Sequence, residues 1–527
     1  MRSRFPKVTH QVGGRPMLEH VLRAVSEAAT VSDGASAPDT SSGDAEDHSP
    51  HIVIVVGHER DAVRAALHWT PPTGDIVYVV QEPQLGTGDA VRQTRLVWAE
   101  LTASPSTILV LYGDTPLVRA ETVRALLAEH ERSGATLTFL TGQADDPSGY
   151  GRVLRDDAGR VRGVVEQRHA SEEVAAIREV NSGIYCIEAE WLWPRLETLE
   201  VHPNGEYYLT DLVDMAVRDG CIVSTVSALL AETMGVNDRI QLAEAEQIMR
   251  QRVLRDLMLS GVTIEDPATT YVEAGVRVGQ DTILRPGTML RGNTVIGERC
   301  EIGPNSLIRN CTIGDDCLVL ASWLDAAVME DGSRIGPMSR LRAGARLLPG
   351  AHVGNFGEVK NATIGERVQM HHFSYIGDAN VGAATNIGAG AITMNYDGTS
   401  KHHTEIGEHV FIGCDTLLRA PVTVGDGAST GGGAVVTRDV PAGKLAVGMP
   451  ARIARRVRST ASESSTSSEE QREEGEARVV GEPSAHPPDM NVQIGGEASP
   501  LPAGDAGSQV HTSNPDQSSI EGRGARE

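Results

Sequence analysis

Two groups of residues in this chain have the types and spacing needed for chemistry. Asp114 ends the apolar run "STILVLYGD", and Asn237 lies in "GVND". A carboxylate and an uncharged amide oxygen are ligands that suit Mg²⁺. An Asp after a strand is as often a helix cap as a metal ligand, so these residues alone leave both interpretations open.

The second group lies in "MHHFSY", which contains His371 and His372. If this segment is a strand, the two imidazoles point to opposite faces. A positioned imidazole can act as a general base. A single His in a strand is usually structural, and the motif by itself does not decide between the two roles.

The elements that position the first group alternate between strands and helices from His51 to about Met258. The predicted strands are "HIVIVVG", "DIVYVV", "STILVLYGD", "ATLTFLTG" and "SGIYCIE", and the helices include "RDAVRAALHW", "GDAVRQTRLVWAEL" and "AETVRALLAEHERSG". Such alternation predicts a mostly parallel sheet with helices on both faces. Ligands bind beyond the carboxyl ends of such strands, where "QEPQLGTGDA" and "YGDTPL" fall.

The second group belongs to a repeat that begins after a predicted linker helix, Asp238 to Gly261. Aliphatic–Gly pairs then recur at multiples of about six residues, which predicts a parallel β-helix of eight or nine coils with the aliphatic residue inside. The pairs begin at Val278, Ile296, Ile302, Ile313, Ile335, Val353, Ile364, Ile376, Val381, Ile387, Ile406, Ile412 and Val424.

Composition limits the function classes. The net charge is −24 over 527 residues, which argues against nucleic acid or an anionic membrane as the main partner. No apolar run is long enough to span a membrane, and the six cysteines contain no C-x-x-C pair. We therefore expect a cytoplasmic protein with reduced thiols. Segments 31–50 and 459–527 are polar and are expected to be unstructured.

The motifs resemble a known family, the bacterial bifunctional N-acetylglucosamine-1-phosphate uridyltransferases / glucosamine-1-phosphate acetyltransferases. The resemblance runs from Met1 to about Arg452, except for the 31–50 insertion. It is carried by "FPKV", "QLGTGDA", "LYGDTPL", "GVVEQ", "EVNSGIY", "GEYYLTDL", "GVNDR", "GNFGEVKNA", "HHFSYIGDANVGAATNIGAG" and "ITMNYDG". It implies an α/β nucleotidyltransferase domain with a Rossmann-like mixed sheet over 1–237, a linker helix over 238–261, and a left-handed parallel β-helix over 262–458.

The resemblance also implies residue roles in the nucleotidyltransferase half. Asp114 and Asn237 would hold Mg²⁺, and Lys7 would contact the phosphates of UTP. Gln81 with the turn at Gly86 and Thr87 would recognise uracil. The remaining substrate contacts would come from Tyr112, Gly113, Gly151, Glu166 and Asn181, the last three at N-acetylglucosamine 1-phosphate.

In the β-helix half, the resemblance assigns the general base to His372. Glucosamine 1-phosphate would be held by Arg342, Lys360, Tyr375 and Asn386, and acetyl-CoA by Ala389, Asn395, Tyr396, Cys414, Gly432 and Met449. The family commonly has Ser, Ala and a basic residue at the positions of Cys414, Gly432 and Met449. Nearby arginines, Arg452, Arg455 and Arg456, are expected to supply the missing charge. The family also implies a homotrimer.

The N-terminus departs from the family pattern. In the family, an apolar strand and a loop of the form L-A-A-G-x-G-T-R precede "FPKV", and that loop cradles the nucleotide phosphates. We expect the coding sequence upstream of Met1 to supply this strand and loop. If it does not, the 527-residue chain should acetylate but transfer UMP poorly.

Three functions are therefore compared. The first is a bifunctional enzyme of UDP-N-acetylglucosamine synthesis, and the second is an acetyltransferase whose uridyltransferase half is impaired. The third is a non-catalytic regulatory or scaffold subunit, which the sets around Asp114 and His372 argue against because a scaffold does not need them.

Overall fold

A computed structural model describes residues 1–30, 51–57, 59–72, 75–100 and 105–456 of the chain. The two segments expected to be unstructured, 31–50 and 459–527, lie outside these ranges. No helix in the described ranges combines the length and apolar character needed to cross a membrane.

The N-terminal half alternates strands and helices as predicted, with one helix divided in two. The elements are β1 Gln11–Val12, β2 Arg15–Pro16, α1 Met17–Thr30, β3 Ile52–Val56, α2 Arg60–Ala66, β4 Ile76–Val80, α3 Thr87–Arg92, α4 Arg95–Glu100, β5 Thr107–Val110, α5 Ala120–Ser133, β6 Leu137–Gln143, β7 Gly151–Arg155, β8 Val161–Val165, α6 Glu172–Ala175, β9 Glu179–Glu188, α7 Ala189–Leu196, α8 Asp211–Arg218, β10 Val223–Ser227 and α9 Arg239–Leu259.

The main sheet is mixed, as the family resemblance implies, whereas the mostly parallel sheet predicted from the alternation alone was wrong. Its strand order is β10-β6-β9-β7-β8, with β5 also paired to β9. Only β10 and β6 pair in parallel in this sheet, whereas β9 runs antiparallel to β5, β6 and β7. The antiparallel hairpin β7–β8, which precedes β9 in the chain, was not predicted.

Strands β3 and β4 form a separate parallel pair beside this sheet. Helix α1 packs against both parts, because its apolar residues face two directions. Leu22 lies in one cluster with Ile54 of β3, and Val21 lies in another with Ile184 of β9. The two sheets are therefore joined through helix packing rather than through backbone hydrogen bonds in the described ranges.

Helix α9 links the two halves of the molecule. The Asp238 side chain caps its N-terminus by accepting hydrogen bonds from the backbone N–H groups of Ile240 and Gln241. Met249 packs with residues of the N-terminal half, whereas Leu254 belongs to the core of the following domain.

Short strands in regular rotation form the C-terminal half. They are β11 Thr263–Ile264, β12 Tyr271–Val272, β13 Arg277–Val278, β14 Ile283–Leu284, β15 Met289–Arg291, β16 Val295–Ile296, β17 Glu301–Ile302, β18 Leu307–Arg309, β19 Thr312–Ile313, β20 Leu318–Val319, β21 Trp323–Asp325, β22 Val328–Met329, β23 Arg334–Ile335, β24 Arg340–Leu341, β25 Arg346–Leu347, β26 His352–Val353, β27 Gly357–Ile364, β28 Gln369–Met370, β29 Ser374–Val381, β30 Asn386–Ile387, β31 Ile392–Met394, β32 Thr404–Ile406, β33 Phe411–Ile412, β34 Leu417–Arg419, β35 Val422–Val424, β36 Ser429–Thr430, β37 Val435–Val436, β38 Lys444–Val447 and β39 Arg452–Arg456.

These strands stack into a parallel β-helix, as the repeat predicts. Of the thirteen predicted inward residues, all but Val278 are 3% exposed or less. The domain has about ten turns rather than the eight or nine expected. Strands β11 and β12 contain no aliphatic–Gly pair, and the Val447–Gly448 pair at the end of β38 was not counted, so the motif count ran only from β13 to β35.

Candidate active sites

The two predicted metal ligands lie together at the carboxyl end of β5. The Lys7 ammonium donates hydrogen bonds to a carboxylate oxygen of Asp114 and, over 2.9 Å, to Oδ1 of Asn237. The backbone N–H of Val236 donates to the Asp114 carbonyl at 2.9 Å and fixes the second loop beside the first. Three residues far apart in sequence thus converge, two with oxygen ligands and one with a positive charge.

A cleft of about 240 Å³ opens beside this group, at the carboxyl end of β3. Lys7 lines it together with Val56, Gly57 and Gln84. The cleft follows the general rule that ligands bind beyond the carboxyl ends of parallel strands.

The turn predicted to recognise uracil is held by the chain segment around Tyr207. The backbone N–H of Tyr207 donates to Leu85 at 2.8 Å, and that of Gly88 donates to Tyr207 at 2.9 Å. Gly86 has φ +95°, and a Cβ there would lie 2.7 Å from the Tyr207 carbonyl oxygen. Only glycine fits this position, because both the backbone conformation and the neighbouring carbonyl exclude a side chain.

The three residues predicted to hold N-acetylglucosamine are also brought together. Gly151 pairs with Asn181 in the sheet, and a Cβ at Gly151 would lie 3.7 Å from a carboxylate oxygen of Glu166. Glu166 accepts a hydrogen bond from Thr210 at 3.0 Å. Asn181 donates to the Tyr185 hydroxyl at 2.6 Å, which orients its amide.

Tyr112 connects the predicted sugar, metal and uracil residues. Burial, which outweighs a hydrogen bond with Thr87, raises the pKa of the Tyr112 hydroxyl to about 12, and the charges of Glu166 and Asp114 add to the shift. Tyr112 also packs on Gly183, where a Cβ would lie 2.1 Å from its ring. Gly113 is closely packed too, since a Cβ there would meet Leu18 at 3.1 Å.

In the β-helix, the predicted base and three predicted acetyl-CoA residues form a column along one corner. Gln369, Asn386, Phe411 and Ser429 pair in successive coils. The residues three positions later are His372, Ala389, Cys414 and Gly432. Coils repeat at roughly 4.8 Å, so the column spans roughly 15 Å.

Backbone hydrogen bonds hold this column in register. The backbone N–H of Asp415 donates to the Ala389 carbonyl at 2.7 Å, and the backbone N–H of Gly433 donates to the Cys414 carbonyl at 2.8 Å. Cys414 and Gly432 are exposed. Met449, one residue beyond the next position of the column, is 78% exposed. Arg452 lies at the start of β39, while the side chains of Arg455 and Arg456 lie outside the described part of the chain.

The expectation that His371 and His372 point to opposite faces was wrong. Strand β28 ends at Met370, and both histidines are exposed at the corner that follows. The His371 ring packs edge-on against His352 with centroids 4.7 Å apart, whereas the His371 and His372 centroids are 6.4 Å apart. The strand rule fails because the backbone turns after Met370.

The predicted sugar-phosphate cations are neighbours in successive coils. Leu341 pairs with Val359, so Arg342 and Lys360 follow side by side. Arg342 also donates to Glu358 at 2.9 Å. Tyr375 is half-buried on β29, and its hydroxyl lies 3.5 Å from the amide nitrogen of Asn395. Asn386 lies on the adjoining face of the β-helix, where it pairs with Gln369 of the preceding coil.

The segment "TMNYDGTSKHHT" forms an excursion from the coil. Asn386 pairs with Phe411, 25 residues later, whereas Gln369 pairs with Asn386 after 17. Tyr396, at its start, is 60% exposed and bridges to Lys401.

Sequence reasoning missed two residues beside the cations. Lys401, from this excursion, lies close enough to Lys360 that its ammonium group, followed by the Arg342 charge, lowers the pKa of Lys360. Asp378 is 8% exposed and accepts hydrogen bonds from Asn361 and Asn395. Burial raises the pKa of Asp378, but these hydrogen bonds and both lysines outweigh it and lower the pKa. The repeat pattern gave no signal for either residue.

Comparison with known proteins supports the division into two enzyme folds. Residues 45–228 match a nucleotidyl transferase family, and residues 275–310 and 403–438 match the bacterial transferase hexapeptide repeats. The bifunctional protein GlmU of Pelobacter propionicus is 44% identical over 451 residues, covering 85% of this chain and 92% of that protein.

Two further relatives match over the same share of the chain. The bifunctional protein GlmU of Trichlorobacter lovleyi is 45% identical over 456 residues, covering 85% of this chain and 92% of that protein. The protein of the same name from Latilactobacillus sakei is 41% identical over 450 residues, covering 85% and 91%. The chain therefore belongs to the family of bifunctional GlmU proteins.

Proposed function

We propose that the chain carries out two consecutive steps of UDP-N-acetylglucosamine synthesis. Its β-helix acetylates glucosamine 1-phosphate from acetyl-CoA, and its N-terminal domain then transfers UMP from UTP. The observation that carries the proposal is that both sets of residues are assembled in one chain. Asp114 meets Asn237 at one sheet edge, and Arg342 lies beside Lys360 in the β-helix.

For the acetyl step, we assign His372 as the general base. It takes a proton from the ammonium of the sugar, and the amine attacks the thioester carbonyl. The carbon–sulfur bond then breaks, and the sulfur of CoA takes up the second proton lost by the sugar nitrogen and leaves as the thiol. Arg342, Lys360 and Lys401 provide the positive charge that a phosphate monoester needs. The column from Ala389 to Gly432 provides a surface for the pantetheine arm.

For the uridyl step, a phosphate oxygen of N-acetylglucosamine 1-phosphate attacks the α-phosphorus of UTP, and pyrophosphate leaves. Lys7 is the cation nearest to the predicted metal ligands and is assigned to the nucleotide phosphates. Glu166, Asn181 and Gly151 orient the sugar, and the turn at Gly86 orients the base.

Mg²⁺ is proposed to bind Asp114 and Asn237. These two residues suit the ion because their side-chain oxygens converge, and both already accept hydrogen bonds from one cation, the Lys7 ammonium. Two protein oxygens suit Mg²⁺, which keeps waters and takes substrate phosphates as its other ligands. Bound there, the ion would neutralise phosphate charge.

Acetyl transfer alone is a second candidate, favoured by one observation. The strands beside the nucleotide cleft are divided between two sheets, with β3 paired to β4 and β5 paired to β9. The Lys7 side chain lines the cleft at the end of β3, and a sheet divided at its binding edge orients phosphates less firmly than a continuous one.

We further propose a homotrimer in the cytoplasm. One face of the β-helix carries an outward ladder of large apolar side chains, in register from coil to coil: Tyr271, Met289, Leu307 and Trp323. Tyr271 is 42% exposed and Trp323 is 45% exposed, so a partner prism can bury them. Light scattering that finds a fully active monomer would contradict the trimer.

We propose the domain limits 1–237 for the nucleotidyltransferase domain, 238–261 for the linker helix and 262–458 for the β-helix.

Two assays on the full chain test the proposed function. The first measures thiol release from acetyl-CoA with glucosamine 1-phosphate, and the second measures pyrophosphate release from UTP with N-acetylglucosamine 1-phosphate and Mg²⁺. Both products are expected. Thiol release alone would favour the second candidate, and neither product would favour a scaffold.

A further inference from the structure

The amide of Gln81 has only one possible orientation in this fold. Its Nε2 donates one hydrogen bond to the Gly86 carbonyl at 3.0 Å and another to a carboxylate oxygen of Asp89 at 2.8 Å. Both partners are acceptors only, so the NH₂ end must face them. The opposite end, Oε1, therefore faces away and accepts no hydrogen bond from the residues that the structure describes.

Asp89 is well suited to impose this orientation. It is 1% exposed, and its other oxygen accepts hydrogen bonds from Arg92 and Gln93. Burial alone raises the pKa of the Asp89 carboxyl, but the hydrogen bonds from Gln81, Arg92 and Gln93 outweigh it and lower the pKa. Asp89 is thus ionised at neutral pH and cannot donate a hydrogen bond to Gln81.

The same network is tied to the rest of the turn. The Arg92 guanidinium lies over the Tyr207 ring, 4.7 Å from its centroid. Tyr207 holds Leu85 and Gly88 through its backbone. The carboxylate is therefore fixed relative to the turn at which the nucleobase is proposed to bind.

We propose that Asp89 is a specificity-determining positioning residue that makes this chain select uridine over cytidine nucleotides. The inference rests on the proposed uridyl transfer. Uracil presents a donor, N3–H, where cytosine presents an acceptor, N3. With Gln81 fixed as an acceptor, uracil completes a hydrogen bond, whereas cytosine places two lone pairs against each other.

The variant Asp89→Asn tests this directly, because it keeps the shape of the side chain and introduces a donor. The introduced amide can donate to Oε1 of Gln81, so of the two partners the Gly86 carbonyl alone still opposes the orientation that turns the NH₂ end toward the base. We expect the ratio of kcat/KM for UTP to that for CTP to fall at least about tenfold, the usual effect of one misplaced buried hydrogen bond. The kcat with UTP should change little. Binding of UTP and CTP, measured by calorimetry without turnover, should show the same fall in the ratio of affinities.

Gln93→Leu is the matched control, since Gln93 donates to Asp89 but makes no hydrogen bond with Gln81 in the described structure. It should leave the UTP-to-CTP ratio unchanged. Acetyl transfer by the separate β-helix should remain normal in both variants and reports that the chain is folded.

Each outcome separates this inference from the proposed function. If the unmodified chain prefers UTP and Asp89→Asn loses that preference, the inference stands. If Asp89→Asn weakens UTP and CTP equally, or if the unmodified chain accepts both nucleotides alike, the inference is wrong. If the unmodified chain neither binds UTP nor releases pyrophosphate, the proposed uridyl transfer fails with it.

Discussion

Strand β29 of the β-helix has hydrogen-bonded neighbours on both sides, β27 on one and β31 and β32 on the other. Strand β3, beside the nucleotide cleft, has one such neighbour in the described ranges, β4. Both strands lie next to a proposed substrate site. Backbone hydrogen bonds to both neighbours hold the site beside β29 in place. The site beside β3 depends instead on side-chain packing against α1.

This difference indicates how each site can fail. The positions of the residues in the column from His372 to Gly432 follow from the register of successive coils. A substitution at the surface of the column should therefore remove the role of one side chain and leave the neighbouring side chains in place. The group of Lys7, Asp114 and Asn237 joins three distant segments by an ion pair and two hydrogen bonds. It should therefore respond to anything that loosens the N-terminal half.

The largest expected effect is that of His372→Ala. Acetyl transfer should fall by roughly 10²–10⁴-fold, the usual contribution of a general base. Uridyl transfer should be unchanged, because the site lies in the other half. His371→Ala, which alters the adjacent exposed imidazole, is the control and should have a small effect. A parallel loss of both activities would mean that His372 has a structural role.

Asp114→Asn should act on the other half alone. Removing the carboxylate takes away a ligand charge and the Lys7 ion pair, so Mg²⁺-dependent pyrophosphate release should fall by about 10²–10³-fold. Acetyl transfer should be retained. Asp61→Asn, at an exposed position of α2, is the control. A Mg²⁺ titration identical to that of the unmodified protein would argue against the proposed metal site.

Acid should lower the stability of the N-terminal half through one buried histidine. His20 in α1 is buried, and burial lowers the pKa of its imidazole to about 4, although a hydrogen bond to the Val12 carbonyl acts against this. The unfolded chain then binds a proton that the folded chain does not. Stability from neutral His20 is therefore complete above about pH 6.5 and is lost as the pH falls toward 4, by up to about 3 kcal/mol.

Chemical denaturation at pH 7, 5 and 4 measures this effect. His20→Gln can still donate to Val12 but does not titrate, so the N-terminal half should lose less free energy of unfolding between pH 7 and pH 4. Equal losses in the variant and the unmodified protein would exclude His20 as the source.

The smallest expected effect concerns local opening. Amide hydrogens of β3 and β4 should exchange at least about tenfold faster than those of β29, because the β3–β4 pair has few hydrogen-bonded neighbours. Mass spectrometry of peptides from the two regions checks this. Equal protection would show that packing on α1 stabilises the pair as well as a continuous sheet does.

Much of the fold followed from local sequence. The aliphatic–Gly pairs predicted the β-helix because each coil contacts only its neighbours, so the core repeats with the sequence. Strands β3, β4, β6 and β9 were predicted near their observed bounds. The hairpin β7–β8 and the antiparallel course of β9 were not, because strand direction depends on which distant segments pair.

For the sites, the sequence by itself determined which residues have the right chemistry and their order along the chain. Asp114, Asn237 and His372 were candidates from their types and motifs, and Lys360 was a candidate from the family resemblance. Only the tertiary structure decided their surroundings. Gln81 is oriented by Asp89 of α3, and Lys360 lies beside Lys401 of the excursion, and neither neighbour belongs to a repeat. Likewise, His371 and His372 are both exposed because the chain turns after Met370, and no strand pattern specifies that turn.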